Sequence, residues 1–307
     1  MDASQYGALG PSLRAACKLA ASMSLVGAYV ALVKPLTAVL PIFALAFLRF
    51  AIAAPVLLPW TWREPSEAPL TRVESRQLFL QSFFGNFGFS ICMLWGVALT
   101  SATAAGLVMS ALPVVVALLS CLLLGERMSG RLQLAVLCAG AGIGLLALAQ
   151  SASAGEPSRW LGNCLVLGAV FCEALYVVIG KRLSATRTPM RISAWINLWG
   201  LLLSAPIGLW QIARVDFSTI TALNWAYLVF YSWASSAVAV GLWMSGLRQT
   251  SASAAGVFTV ALPLSTAAVA VGVLGETLTG WHMSALACAL AAILLAAPQT
   301  SRDRPRA

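Results

Sequence analysis

One stretch of the chain occurs twice, and that duplication limits the folds open to it. Residues 100–130 read TSATAAGLVMSALPVVVALLSCLLLGERMSG, and residues 250–280 read TSASAAGVFTVALPLSTAAVAVGVLGETLTG. The copies align without a gap: Gly106 with Gly256, Pro113 with Pro263, Gly125 with Gly275 and Glu126 with Glu276, each pair 150 residues apart. Each opens on Ser, Thr and Ala, continues as about twenty apolar and small residues with a proline midway, and ends in Gly-Glu. That length crosses a bilayer. A repeat at membrane depth predicts a fold of two related halves.

Composition agrees. The chain is 60% hydrophobic and 9% charged, with a mean hydropathy of +0.87, against about 25% charge in ordinary soluble domains. Ten runs are long enough to cross, near residues 13–33, 38–60, 78–99, 103–124, 130–149, 160–180, 190–212, 223–247, 252–274 and 279–297. The first is read as an uncleaved span, because no small-residue cleavage site precedes Lys34-Pro35. The net charge of +9 lies between apolar runs, so it is topogenic and nucleic-acid binding is not expected. Seven cysteines, an odd number with no C-x-x-C pair, argue against a disulfide framework or a metal site.

Basic residues set the orientation. With the N-terminus in the cytoplasm, one side collects Arg14, Lys18, Arg63, Arg72, Arg76, Arg127, Arg131, Lys181, Arg182, Arg187, Arg191 and Arg248 together with the C-terminal arginines. The other side keeps Lys34, Arg159 and Arg214. Both termini are therefore expected to be cytoplasmic. Five spans per half is an odd number, so the second half enters the membrane inverted. AYVALVKPL at residues 28–36 matches LYVVIGKRL at residues 175–183, pairing Tyr29 with Tyr176 and Lys34 with Lys181, and Ser82-Phe83 matches Ser232-Trp233 more weakly. The predicted fold is all-α integral membrane: ten transmembrane helices as two inverted five-helix repeats, residues 1–152 and 153–307, around a central cavity.

Ten spans in two repeats, with the P-x11-G-E ending at Pro113 to Glu126 and again at Pro263 to Glu276, resemble the EamA-type branch of the drug/metabolite transporter superfamily. In length and aromatic content the chain is similar to the bacterial aromatic amino acid exporters. The resemblance covers nearly the whole chain. It implies a basket of helices around a central cavity, with the fifth and tenth spans at the periphery, and a carrier of small metabolites in the bacterial inner membrane. Export as the direction comes from the resemblance alone.

Candidate cavity residues are polar or aromatic groups at membrane depth, where each needs a partner or a purpose. Asn86 lies among Gly85, Gly88 and phenylalanines, with Ser82 at helical spacing; Trp233, Ser235 and Ser236 occupy the matching stretch of the second half. Either set forms a binding wall or an interhelical hydrogen-bond cluster. Tyr29 and Tyr176 offer repeated hydroxyls. Of Trp195, Asn197 and Trp199, which cannot share one face, Trp195 or Asn197 is the one to reach the cavity.

Charges at the bilayer centre cost about 2.5–3.5 kcal/mol on insertion scales. Arg49 either binds a substrate carboxylate or phosphate or pairs with Glu173. Glu173 is the candidate for proton coupling. His282 reads as an interfacial anchor, Lys34 and Lys181 as snorkelling anchors, and Glu126 and Glu276 as caps or partners of nearby donors.

The fourth and ninth spans are the expected gating helices. Gly106 and Gly256 allow close approach, and Pro113 and Pro263 each remove a helical hydrogen bond, so a kink or a freed carbonyl is expected. No H-E-x-x-H, G-x-S-x-G or phosphate-cradling loop is present, and no enzyme activity, cofactor or metal is expected. The reading is a secondary transporter working by alternating access, with an aromatic or branched amino acid as the leading substrate. Carriage of sugar phosphates, nucleotide sugars or drugs, or a channel-like facilitator, is the alternative. The partners are a small molecule and the bilayer, and the chain is a monomer or weak homodimer.

Overall fold

The computed structural model describes residues 12–62, 67–99, 108–109, 111–151, 160–262, 264–265, 268 and 280–296. Gly106, Pro263, Glu276 and both termini lie outside the described residues, as do the side chains of Lys34 and His282. Every regular element among the described residues is helical.

In the first half, α1 spans Leu13–Val39 and starts at Ser12, whose Oγ accepts the Ala15 N–H at 3.2 Å. α2, Ile42–Leu57, continues as a 3-10 turn over Leu58–Thr61. α3, Arg72–Ser82, opens with a reciprocal cap in which Thr71 Oγ1 accepts the Glu74 N–H and the Glu74 carboxylate accepts the Thr71 N–H. It passes through a π segment, Phe83–Gly88, into α4, Phe89–Leu99.

Pro113 stands in the first turn of α5, Leu112–Leu124, where its missing N–H would be unsatisfied in any case. Pro113 thus opens a helix, after a turn at Ala111, and does not bend α5 from within. α5 ends at Gly125, whose φ of 67° is left-handed; this places the Glu126 N–H 3.3 Å from the Ser120 carbonyl. The glycine of Gly-Glu is therefore a helix stop. α6 is Gly130–Ser151.

The second half follows the same order. α7 is Trp160–Ser184 and α8 is Pro189–Ile212. α9, Ala222–Trp233, passes through a second π segment, Ala234–Ala239, into α10, Val240–Arg248. α11, Ala252–Val257, tightens into a 3-10 turn over Phe258–Val260, and α12 is Gly280–Ala296. Among the described residues, four helical stretches, Ile42–Thr61, Trp160–Ser184, Pro189–Ile212 and Ala222–Arg248, are long and apolar enough to cross a membrane.

Packing has the symmetry of two interlocked halves. α2 lies on α8 and α6 on α12, each an element against its own counterpart, and α5 packs on α11. α1 packs on α10 while α7, its counterpart, packs on α4. The two π segments also occupy corresponding places. Fully buried Leu19, Leu78, Leu183, Ile192, Met244, Leu247 and Phe258 come from the start of α1 and α8, from α3, from the turn after α11 and from the ends of α7 and α10, which the topology gathers at one end of the bundle, with Arg187. A second apolar cluster of Leu36, Leu40, Leu45, Ile220 and Leu228 lies where α1 ends and α2 and α9 begin.

Candidate functional site

Between the halves lies a cavity of about 620 Å³ whose wall includes Tyr29, Arg49, Asn86, Glu173, Tyr176, Asn197, Ser235 and Ser236. The π segments build much of it. Widening a helix to i→i+5 contacts disturbs the backbone ladder and re-aims side chains, and such bulges recur at functional sites. Gly85 and Asn86 come from the first, Ser235, Ser236 and Ala239 from the second. Gly85 is required here, because a Cβ at this position would run into the ring of Tyr176.

Arg49 is held by one residue of each half. Its Nη2 donates to Asn86 Oδ1 and its Nη1 to Tyr231 Oη, each at 3.4 Å. Its guanidinium also lies 4.1 Å from the centre of the Phe50 ring, a cation–π contact. Tyr231 in turn meets Tyr29 edge to face, with ring centres 5.2 Å apart. Asn86 is oriented from behind, since its Nδ2 donates to Ser82 Oγ at 3.1 Å and Ser82 donates to the Ile196 carbonyl at 2.9 Å. Ser82 thus stands behind the wall, fully buried.

Several buried polar atoms of cavity-lining residues have no protein partner: Arg49 Nε, Asn197 Oδ1, Ser235 Oγ, Ser236 Oγ and Trp243 Nε1. Buried polar groups are normally satisfied, so their convergence marks a surface that suits a polar ligand. Glu173 lines the same cavity one helical turn from Tyr176. It forms no ion pair with Arg49; among the described residues, ion pairs join only Arg187 and Arg191 to Glu67 and Glu74.

The structure brings Tyr29, Arg49, Asn86, Glu173, Tyr176 and Ser236 to one cavity. Trp233 is not on that wall. It is 48% exposed on the outside of the bundle, because the π segment starting at Ala234 breaks the α-helical spacing that would have put Trp233 and Ser236 on one face. Trp195 packs into the main core and Asn197 faces the cavity. Trp199 meets Phe79 edge to face. Ser22, Ser193, Thr259 and Trp243 also line the cavity, and sequence reasoning passed over them. Their only signal was a polar or amphipathic group inside an apolar run.

At the Arg187 end the halves are tied together. Gly256 of α11 meets α5 so closely that a Cβ there would lie 2.9 Å from Val116 Cγ1. One turn further along α5, the hydroxyls of Ser120 and Ser253 are in contact. The Glu126 carboxylate accepts the N–H of Ala252 at 2.7 Å and the N–H and hydroxyl of Ser253 at 3.1 and 2.8 Å. It caps the start of α11, where a negative charge suits the helix dipole. Lys181 donates to the Leu247 carbonyl at 2.9 Å.

At the ends of the spans, Arg187 is bonded to Glu74 through Nε and Nη2 at 2.9 and 2.6 Å, and Arg191, in the first turn of α8, is paired with Glu67. The Arg187 hydrogen bond holds the Glu74 carboxyl down at about 2, against the partial desolvation that opposes it. Desolvation raises Glu67 as well, but hydrogen bonds from Arg191 and Thr188 outweigh it and leave that carboxyl below its ordinary value. No group of three metal-ligating side chains occurs among the described residues.

An all-helical bundle of apolar spans, with a polar-lined chamber between two halves, defines a multi-pass membrane transporter. The EamA-like transporter family model matches residues 13–148 and again residues 160–297. The chain belongs to that family. It is 34% identical over 279 residues to YetK of Bacillus subtilis (strain 168), described as an uncharacterized transporter, covering 90% of this chain and 84% of that protein. YyaM of the same organism, described in the same words, is 25% identical over 223 residues, covering 71% and 72%. A solved crystal structure shares the fold with a TM-score of 0.74 at 20% identity, covering 92% of this chain and 96% of that one.

Proposed function

We propose that the chain is a secondary transporter that exports amino acids with aromatic or branched side chains across the bacterial inner membrane. The observation that carries this reading is the pair Arg49 and Glu173. They are opposite charges on one cavity wall with no ion pair between them. An amino acid is a zwitterion that offers each a partner. Its carboxylate sits against Arg49, where a planar guanidinium gives directional hydrogen bonds, and its ammonium sits towards Glu173. The apolar wall of Met23, Phe89, Met93 and Trp243 takes the side chain.

Transport then needs the Arg187 end to open. Sliding α5 from α11 exposes the cavity to that side, while the inverted arrangement of the halves closes the other. The protein acts without enzyme activity, cofactor or nucleic acid, as a monomer or weak homodimer.

Purified protein in liposomes loaded with labelled phenylalanine, tryptophan or leucine tests the reading. Saturable efflux is expected, inhibited by the parent amino acid and weakly by analogues that lack either the carboxylate or the ammonium. Equal inhibition by a simple amine would move the assignment to a cation carrier that uses Glu173 alone. Equal inhibition by the acid lacking the ammonium would move it to an anion carrier that uses Arg49. Absence of flux for all three amino acids in folded protein would overturn it.

A further inference from the structure

A second hollow of about 280 Å³ lies where α3, α5 and α7 meet, lined by Val73, Arg76, Leu80, Leu123, Val178 and Arg182 among others. Two features distinguish it from an ordinary packing groove. Its apolar residues include exposed Leu123, and in a membrane protein the exposed apolar face is the lipid face. Its two arginines are also exposed, and neither has a carboxylate partner among the described residues. Arg182 Nη2 donates to the Leu123 carbonyl near the end of α5. This pins the side chain at the hollow and leaves further N–H donors of the guanidinium for a ligand.

The levels are ordered along the membrane normal. Arg76 stands in the second turn of α3 and Arg182 in the last turn of α7, both at the Arg187 end and so at headgroup depth. Leu80 and Val178 are each one turn further in, at the depth of acyl chains. Basic pockets between spans at such a surface fit anionic headgroups.

We propose that this hollow is a binding site for an anionic phospholipid, with the phosphodiester across Arg76 and Arg182 and an acyl chain along Leu80, Leu123 and Val178. A soluble phosphate would meet the same cations but would leave the apolar floor uncovered. The lipid covers both.

Native mass spectrometry of the purified protein, given equal amounts of phosphatidylglycerol and phosphatidylcholine, tests the site. Preferential retention of phosphatidylglycerol is expected. It should weaken roughly fivefold in Arg76→Gln, the loss associated with one basic residue near an anionic surface, and stay unchanged in Arg248→Gln, which removes an exposed arginine outside the hollow. Arg76→Gln carries the test, because Arg76 makes no ion pair whose loss would disturb folding. Equal retention of the two lipids, or phosphatidylglycerol retention unchanged by Arg76→Gln, would overturn the proposal. So would displacement of the lipid by inorganic phosphate.

Discussion

The Glu126 carboxylate, just past the end of α5, accepts the backbone N–H of Ala252 at 2.7 Å, so a carboxylate that follows one helix caps the first turn of another. The two residues are 126 positions apart, in different halves. Caps of this kind are worth about 1 kcal/mol in soluble helices, and a charged acceptor with three donors is stronger. Glu126→Ala should lower the unfolding temperature of the detergent-solubilised protein, and Glu126→Gln, which keeps an oxygen acceptor, should lower it less. Two variants as stable as the parent would remove the cap from the ties between the halves.

Beside that cap, Gly256 and Val116 set how closely α5 and α11 approach. A methyl group at position 256 would meet Val116 Cγ1 at 2.9 Å, and a β-branched neighbour has no free rotamer with which to yield. Gly256→Ala is expected to destabilise the protein by about 1–3 kcal/mol, the range for overpacking. Val116→Ala in the same chain should recover most of it, and a double-mutant cycle measured by thermal unfolding reads the coupling. Additive losses would mean that the two side chains do not compete for the same space.

The sequence reading reached an all-helical fold of two repeats through the duplication, and six of its candidate residues line the cavity because they are polar groups at depth. Arg49, Glu173 and Asn86 were visible because an ionisable or amide group in an apolar run has to face protein or water. Tyr29 and Tyr176 were visible because they recur at matching places. Trp233 shows where that logic stops. Its assignment relied on the match between the halves, and the π segment that starts at Ala234 sends Trp233 and Ser236 to different surfaces. Ser22 and Ser193 were passed over because a small hydroxyl fits a packing seam as well as a cavity wall. Ser22 donates to the Ala239 carbonyl and Ser193 to the Ser236 carbonyl, so each does both. The reach of Glu126 to Ala252 was not readable either, because spacing along the chain does not say which helix end a carboxylate meets.

The Glu67, Glu74, Arg187 and Arg191 cluster gives a pH dependence. Both carboxyls lie below their ordinary values in the folded protein, Glu74 at about 2. A depressed folded-state value contributes stability that is present above the unfolded value and is lost as pH falls towards the folded one. Stability should therefore be flat in this contribution from neutral pH down to about 5 and then fall on further acidification. Glu74→Gln should remove its share of the acid-side slope. Arg187→Ala should cost more, about 3 kcal/mol, because it leaves Glu74 without its arginine near a buried interface, while Glu67 keeps Arg191. Identical acid-unfolding curves for Glu74→Gln and the parent would take Glu74 out of the effect.

Asn86 offers the sharpest test of how Arg49 works. Its Oδ1 accepts from Arg49 while its Nδ2 donates to Ser82, so the amide positions the guanidinium without neutralising it. Asn86→Ala removes that support and leaves the charge in place for a substrate carboxylate. Asn86→Asp does the opposite: it supplies a carboxylate at the same position, and Arg49 then pairs within the protein. If Arg49 recognises the substrate by charge, the aspartate variant should show the larger rise in KM for amino acid efflux, tenfold or more, corresponding to about 1.4 kcal/mol of lost binding. The alanine variant should be milder, and Asn86→Asp combined with Arg49→Gln should be no worse than Arg49→Gln alone. An alanine variant worse than the aspartate one would mean that Asn86 itself, and not the free charge of Arg49, carries recognition.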